Sequence, residues 1–264
     1  MSILKEIYNY KIDFVTKQKK TISQSSIEAK INLSDSDHSS FYKKLKAQEN
    51  KISIIGEVKK ASPSLGYFVN KEINLVDVAQ TYEKCNISCI SVLTDEKYFK
   101  GSLDDLINIR SNISIPILRK DFIVDDYQIY ESKLNGANCI LIILSMLNIK
   151  EAQRFAMIAQ DLGIDSIIEV HNLEELLIAK SIKNSKIIGI NNRNLNNFKT
   201  DLNISIKLSK YLEENEKLVI SESGFHGKKD IQKIIEATGI NNFLIGEFLM
   251  KSDNLSDHIS DLLN

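Results

Sequence analysis

A carboxylate and an ammonium stand two residues apart in Ile54-Ile55-Gly56-Glu57-Val58-Lys59-Lys60-Ala61-Ser62-Pro63-Ser64. The first part of this stretch is apolar and β-branched, as in a buried strand, and Ser62-Pro63-Ser64 reads as a turn. Side chains alternate faces along a strand, so Glu57 and Lys59 point the same way. Taken alone, such a pair also suits an edge strand, where it is nearly neutral in energy. The other strand-like runs decide between these readings. They end in Arg119-Lys120-Asp121-Phe122, in Glu169 with Val170-His171, in Asn191-Asn192-Arg193, in Glu222-Ser223-Gly224 and in Gly246-Glu247. Charges buried without purpose at so many strand ends would be costly. Two lysines and two or three carboxylates brought together can exchange protons with a substrate without metal or cofactor. Close packing should spread their pKa values and leave an acid beside a base near neutral pH. Ser223-Gly224 and Ile245-Gly246 suit either tight turns or a second task, the offer of backbone N–H groups to a phosphate.

The elements that would position these groups recur regularly. Eight apolar, β-branched runs follow residue 50: 52–58, 87–94, 115–120, 137–144, 165–170, 186–191, 217–223 and 241–247. Several lack clean alternation, as parallel strands covered on both faces do. Segments of helical periodicity separate them, among them Ala152, Phe155-Ala156 and Ile158-Ala159. Strand and helix alternating eight times predict a (β/α)₈ TIM barrel, in which function gathers at the C-terminal strand ends. A doubly wound open sheet is the rival architecture, but no glycine-rich dinucleotide loop follows the first strand. Residues 1–50 carry amphipathic patterns at Leu4, Ile7, Tyr8, Lys11-Ile12 and at Phe41-Tyr42, Leu45. They are expected to form a helical extension packed on a barrel of residues 51–264, the whole being one domain.

Composition narrows the partners. The chain has 264 residues, 43% hydrophobic and 26% charged, with a net charge of -1. A sequence pI near 6.5 gives no electrostatic footprint for nucleic acid, and Lys17-Gln18-Lys19-Lys20 reads as a solvated helix end. No apolar run reaches membrane-spanning length, and the N-terminal residues lack the apolar centre of a signal peptide. Cys85, Cys89 and Cys139 have no paired spacing, so a reducing cytoplasm is expected. His38, His171, His226 and His258 are dispersed, without ligand spacing to a cysteine, so no metal site is expected.

The motifs together resemble the indole-3-glycerol phosphate synthase family. Glu57-Val58-Lys59-Lys60-Ala61-Ser62-Pro63-Ser64 is similar to that family's first-strand signature, and Leu118-Arg119-Lys120-Asp121-Phe122-Ile123-Val124-Asp125-Asp126-Tyr127-Gln128 to its third-strand signature. Ile168-Glu169-Val170-His171, Gly189-Ile190-Asn191-Asn192-Arg193-Asn194-Leu195, Ser221-Glu222-Ser223-Gly224 and Leu244-Ile245-Gly246-Glu247 follow in the family's order. Asn194 stands where some members carry an acidic residue, at a peripheral contact. The resemblance implies conversion of 1-(2-carboxyphenylamino)-1-deoxyribulose 5-phosphate to indole-3-glycerol phosphate, carbon dioxide and water, without a cofactor. It implies Lys120 as the acid for ring closure. Lys59, paired with Glu57, would orient the substrate carboxylate or act as the acid in dehydration. Glu169 would be the base, with Glu57 a competitor, and Asn191, Arg193 and Glu222 would support hydroxyl and carboxylate contacts. Pro63, Phe99, Phe122 and Leu195 would line a slot for the aromatic ring. Gly224 and Gly246-Glu247 would hold the phosphate through their N–H groups, with Ser62 and Ser223 nearby. Two rivals are another phosphate-binding barrel enzyme, such as phosphoribosylanthranilate isomerase, and a non-catalytic phosphometabolite-binding barrel. The first lacks the strand-one signature, and the second has little need of both lysines and Glu169. The partner expected is a small phosphorylated molecule, with the protein a monomer or weak homodimer.

Overall fold

All eight expected strands form, and each pairs in parallel with two neighbours. In the computed structural model, which describes residues 3–31, 40–48, 51–62, 66–67, 73–195, 197–213 and 217–263, the strands are β1 (Ser53–Val58), β2 (Cys89–Leu93), β3 (Ile117–Lys120), β4 (Cys139–Ile143), β5 (Asp165–Val170), β6 (Ile187–Asn191), β7 (Leu218–Glu222) and β8 (Asn242–Ile245). They run around the ring in sequence order, and β1 closes it by pairing with both β8 and β2. The architecture is the (β/α)₈ barrel with an N-terminal helical extension. Only β5 has the expected bounds; the other seven strands are one to three residues shorter. β8 stops at Ile245, and Glu247 instead opens a short helix, Glu247–Met250.

Two apolar layers result from the alternation along each strand. Outward residues such as Ile54, Ile90, Ile142, Ile168 and Phe243 join the surrounding helices in the larger core. The helix Ile149–Asp161 shows why this packing holds. It buries Ala152, Phe155, Ala156 and Ala159 along one stripe, and a reciprocal Asn148–Glu151 capping box fixes its start. Inward residues Ile55, Cys89, Leu118, Leu141, Ile167, Ile187, Ile220 and Leu244 fill the barrel axis.

The extension contains α1 (Ile3–Thr21), α2 (Gln24–Ile31) and α3 (Phe41–Lys46), and it reaches both ends of the barrel. At the N-terminal end, Phe41 and Leu45 of α3 join the interior cluster and close its floor. Asp165 at the start of β5 seats this plug by accepting from Ser40 Oγ and from the Tyr42 N–H, each at 2.9 Å. At the C-terminal end, Lys11 of α1 is only 2% exposed. It bridges Asp95 at 2.9 Å and Asp121 at 2.6 Å, which lie in the loops after β2 and β3. A lysine buried this deeply holds its charge only because two carboxylates compensate its desolvation. Between the two ends, α2 packs on the helix Asp126–Leu134, where Val15, Ile27 and Tyr127 form a small cluster. Within the basic run, Lys17 and Lys20 are exposed and Lys19 pairs with Asp125 at 2.6 Å.

Cys85, Cys89 and Cys139 are all free thiols, the last two within the interior cluster. Among the described residues, no helix is long and apolar enough to cross a membrane.

The floor plug gives a stability prediction. Phe41→Ala leaves a cavity that the barrel strands cannot collapse into, and should cost about 3–5 kcal/mol. Denaturant unfolding monitored by circular dichroism should show the loss as a lower midpoint.

Candidate active site

The site follows from strand parity. Glu57, Lys120, Glu169 and Glu222 each lie two residues beyond an interior apolar residue of their own strand, namely Ile55, Leu118, Ile167 and Ile220. A two-residue step keeps the side chain pointing inward, so all four converge above the apolar core at the C-terminal mouth. Asn191 reaches the same layer on β6, two residues beyond Gly189.

Lys120 is the hub. Its Nζ donates to Glu169 Oε2 at 2.9 Å and to Glu222 Oε2 at 2.8 Å. Burial disfavours the ammonium, but Glu169, Glu222 and Glu57 outweigh it and hold Lys120 protonated well above the usual lysine range. Burial also pushes the Glu169 carboxyl up, yet Lys120, His171 and a hydrogen bond with Asn191 bring it below the ordinary carboxylate value. Glu222 goes the other way. Its burial and the neighbouring charge of Glu169 outweigh Lys120 and raise it to about 7. Two carboxylates sharing one ammonium thus have their proton affinities driven apart, as an acid–base site requires. Glu222 Oε1 is buried with no hydrogen-bond partner. Beside this triad, Lys59 pairs with Glu57.

Two glycines give the carboxylates their room. A Cβ at Gly189 would collide with Oε1 of Glu222, and a Cβ at Gly246 with Oε1 of Glu57. Gly246 therefore has a packing role besides the one read from the sequence, and Gly189 is a residue that reading missed.

Two adjoining cavities open at the mouth, one of about 120 Å³ and one of about 270 Å³. The first is lined by Ser62, Phe99, Lys120, Phe122, Glu169, Asn191 and Leu195, and the Phe99 and Phe122 rings lie 6.1 Å apart. The second is lined by Gly224, Phe225, Gly246 and Glu247. Glu57, Lys59, Arg193, Phe198 and Ser223 border both. At Ser223 and Gly224 the backbone takes φ of 69° and 86°, a left-handed turn that glycine adopts freely and serine does not. Glu247 is neutralised where it stands, by Lys251 at 2.7 Å and Arg193 at 3.5 Å. Burial opposes its ionisation, but Lys251, Lys59 and Arg193 hold its carboxyl below the ordinary value. Arg193 also donates to the Phe198 carbonyl at 2.9 Å, which fixes the loop between the cavities.

Nearly all the residues named from the sequence come together here. Glu222 lines neither cavity; it lies fully buried and touches Lys120 from within. Pro63 falls outside the described residues. Among the wall residues not read from the sequence as site residues are Ile3, Leu4 and Ile7 of α1, which border the first cavity. The amphipathic spacing of Leu4 and Ile7 marked a helix face but not the surface it would cover. Phe198, at the border of both cavities with φ of 59°, carries no sequence signal at all.

A parallel barrel with a proton-exchanging cluster and a glycine-lined recess at its C-terminal mouth is an acid–base barrel enzyme. The comparisons are specific. Residues 4–262 match the family model described as indole-3-glycerol phosphate synthase, so the chain belongs to that family, the carboxy-lyases of tryptophan biosynthesis. It is 40% identical over 260 residues to the indole-3-glycerol phosphate synthase of Alkaliphilus metalliredigens, covering 98% of this chain and 97% of that one. It is 43% identical over 211 residues to the Legionella pneumophila (strain Paris) protein of the same name, 80% of each chain. A chain of the tryptophan synthase a2b2 complex from Pyrococcus furiosus shares the fold, with a TM-score of 0.59 at 14% identity, covering 81% of this chain and 98% of that one.

The packing of Glu222 against Gly189 generates a prediction. Gly189→Ala should displace the Glu222 carboxylate from Lys120 and lower kcat roughly tenfold or more, with the protein still folded. Steady-state kinetics alongside a thermal melt separate the two effects.

Proposed function

We propose that the protein closes the indole ring of 1-(2-carboxyphenylamino)-1-deoxyribulose 5-phosphate, with Lys120 as the acid of ring closure and Glu169 as the base. The observation that carries this reading is the ammonium of Lys120 held at 2.9 and 2.8 Å by two buried carboxylates. The ring carbon that bears the carboxylate attacks the ketone, and negative charge develops on the ketone oxygen. A nascent alkoxide is a stronger base than an amine, so even a tightly held ammonium gives up its proton to it. Carbon dioxide then leaves, the aromatic ring is restored, and loss of water completes the indole. That last step needs a proton on the departing hydroxyl and removal of a proton from carbon.

The two cavities divide the substrate. The apolar slot beside Phe99, Phe122, Leu195 and α1 suits the aromatic ring. The recess at Ser223, Gly224, Gly246 and Glu247 suits the phosphate, with Ser62 at the edge of the slot. The left-handed backbone at Ser223-Gly224 supports that assignment, since strain of this kind gathers at binding sites. Glu57 and Lys59, on the border, then face the sugar chain between ring and phosphate. Lys59 in that position is the donor to the departing hydroxyl, and Arg193 and Asn191 orient the substrate. Glu222 works from below, fixing Lys120. The three free thiols fit a reducing cytoplasm, and the protein acts as a monomer or weak homodimer, one domain in which the extension and barrel work together.

Two results are expected. Lys120→Ala should reduce kcat by about 10²–10⁴-fold while the protein stays folded, because the two carboxylates left behind can take up protons. Near-normal turnover by that variant, followed by product fluorescence, would remove Lys120 from the acid role. Inorganic phosphate should compete with substrate, raising KM and leaving kcat unchanged. Kinetics indifferent to phosphate would count against the recess as the anion site.

A further inference from the structure

One buried titratable side chain next to the base has no part in the mechanism above. His171 follows β5 and precedes the helix Leu173–Ser181, and its side chain is 12% exposed. Its Nε2 lies 3.4 Å from Glu169 Oε1, is itself buried, and makes no hydrogen bond. Its Nδ1 lies 3.2 Å from Glu175 Oε2. Glu175 is pinned in turn, accepting from the His171 N–H at 2.8 Å and from Asn172 Nδ2 at 2.8 Å. Helix capping accounts for the bonds of Glu175. It does not account for a ring nitrogen aimed at the base. Since Glu169 holds Lys120 through its other oxygen, Glu175, His171, Glu169 and Lys120 lie in a line from the first turn of an outer helix to the barrel mouth, open only at the 3.4 Å step between His171 and Glu169.

The reaction gives such a line a use. It releases a carboxylate as neutral carbon dioxide, so one proton must be taken up in every turnover. Two protons are given out, to the ketone oxygen and to the departing hydroxyl, and only one comes back from carbon. Glu169 and Glu222 have 3% and 1% side-chain exposure and Lys120 13%, and Lys120 lines the cavity that substrate fills; His171 lines neither cavity, so a route through it stays clear of bound substrate.

We propose that His171 is the proton entry of this enzyme, acting through Glu169 and not on the substrate; the proposal rests on the reaction assigned above. The imidazolium gives its Nε2 proton to Glu169 Oε1; rotation of the protonated carboxyl group turns that O–H toward the neutral Lys120 amine left after its proton has gone to substrate, and its transfer restores the ammonium and the carboxylate. The neutral imidazole keeps its Nδ1 proton toward Glu175. Rotation of the ring then brings Nε2 to solvent, where it regains a proton. The charged groups facing the ring are Glu169 and Glu222 from the barrel and Glu175 from the outer helix, with Lys120 on the far side of Glu169. Burial works against the imidazolium, but the hydrogen bond to Glu175 and these three carboxylates raise its proton affinity above that of a free imidazole, which favours the loaded form.

The test is kcat against pH for wild type, His171→Asn and Glu175→Gln, with and without imidazole in the buffer. His171→Asn should lose roughly tenfold or more in kcat with KM little changed, and added imidazole should restore much of it. Glu175→Gln can still cap the helix but removes a negative neighbour. The alkaline fall of its kcat should therefore move to lower pH, and this holds as a test even if the histidine variant folds poorly. Wild-type kcat in His171→Asn, or a loss that imidazole does not restore and that is equal at every pH, would overturn the relay and leave a helix cap. Absence of turnover in the wild type itself would instead overturn the reaction assignment.

Discussion

One ammonium shared between two buried carboxylates is the constraint on which the rest of this molecule depends. Glu169 and Glu222 are both inside the barrel wall, where either charge alone would be expensive. Lys120 satisfies both, yet it cannot neutralise two charges at once, and the imbalance is what separates their proton affinities. Strand parity sets the geometry, because each group sits one inward step above the apolar layer. Gly189 and Gly246 complete it by leaving the volume that Glu222 and Glu57 occupy. The site is therefore a layer of the barrel core in which apolar side chains have been exchanged for charged ones.

The extension is tied into the same design. Its last helix seals the floor, while its first helix forms a wall of the upper cavity. The buried Lys11 bond to Asp95 and Asp121 locks that wall to the loops after β2 and β3, which carry Phe99 and Phe122. Arg119 reinforces this lock from beneath. It points outward from β3 between Asp121 at 3.2 Å and Glu131 at 2.8 Å. Neighbouring residues of one strand thus serve opposite faces, Arg119 holding the loops and Lys120 the two carboxylates at the mouth.

Much of this was legible in the sequence because it depends on period two and on residue type. Buried strands need unbroken β-branched runs, so all eight could be counted. Groups at their ends could be gathered once the barrel was inferred. What escaped depends on contacts between distant segments. Nothing local says that Ile3, Leu4 and Ile7 cover a cavity, since an amphipathic helix does not name the surface it packs on. Gly189 reads as a residue of an ordinary strand, and its function exists in the side chains of neighbouring strands, Glu222 above all and Ile167 beside it. Glu222 itself is of a residue type that suits a substrate contact, but it is fully buried against the lysine and lines neither cavity. The end of β8 was misjudged because Gly246-Glu247 continues an apolar run, whereas the backbone at Gly246 leaves the extended conformation to start a helix.

The central claim is electrostatic, so the most direct measurement is a titration of Lys120 by NMR of its side-chain ε-carbon, with Lys120→Arg supplying the assignment. The account predicts a resonance that remains at its protonated position beyond pH of about 10.4, the ordinary lysine value, in the wild type. In the Glu169→Gln, Glu222→Gln double variant it should titrate at markedly lower pH, because burial would then be opposed by Glu57 alone. A Lys120 that loses its proton below the ordinary value in the wild type, or that is indifferent to removal of both carboxylates, would contradict the account.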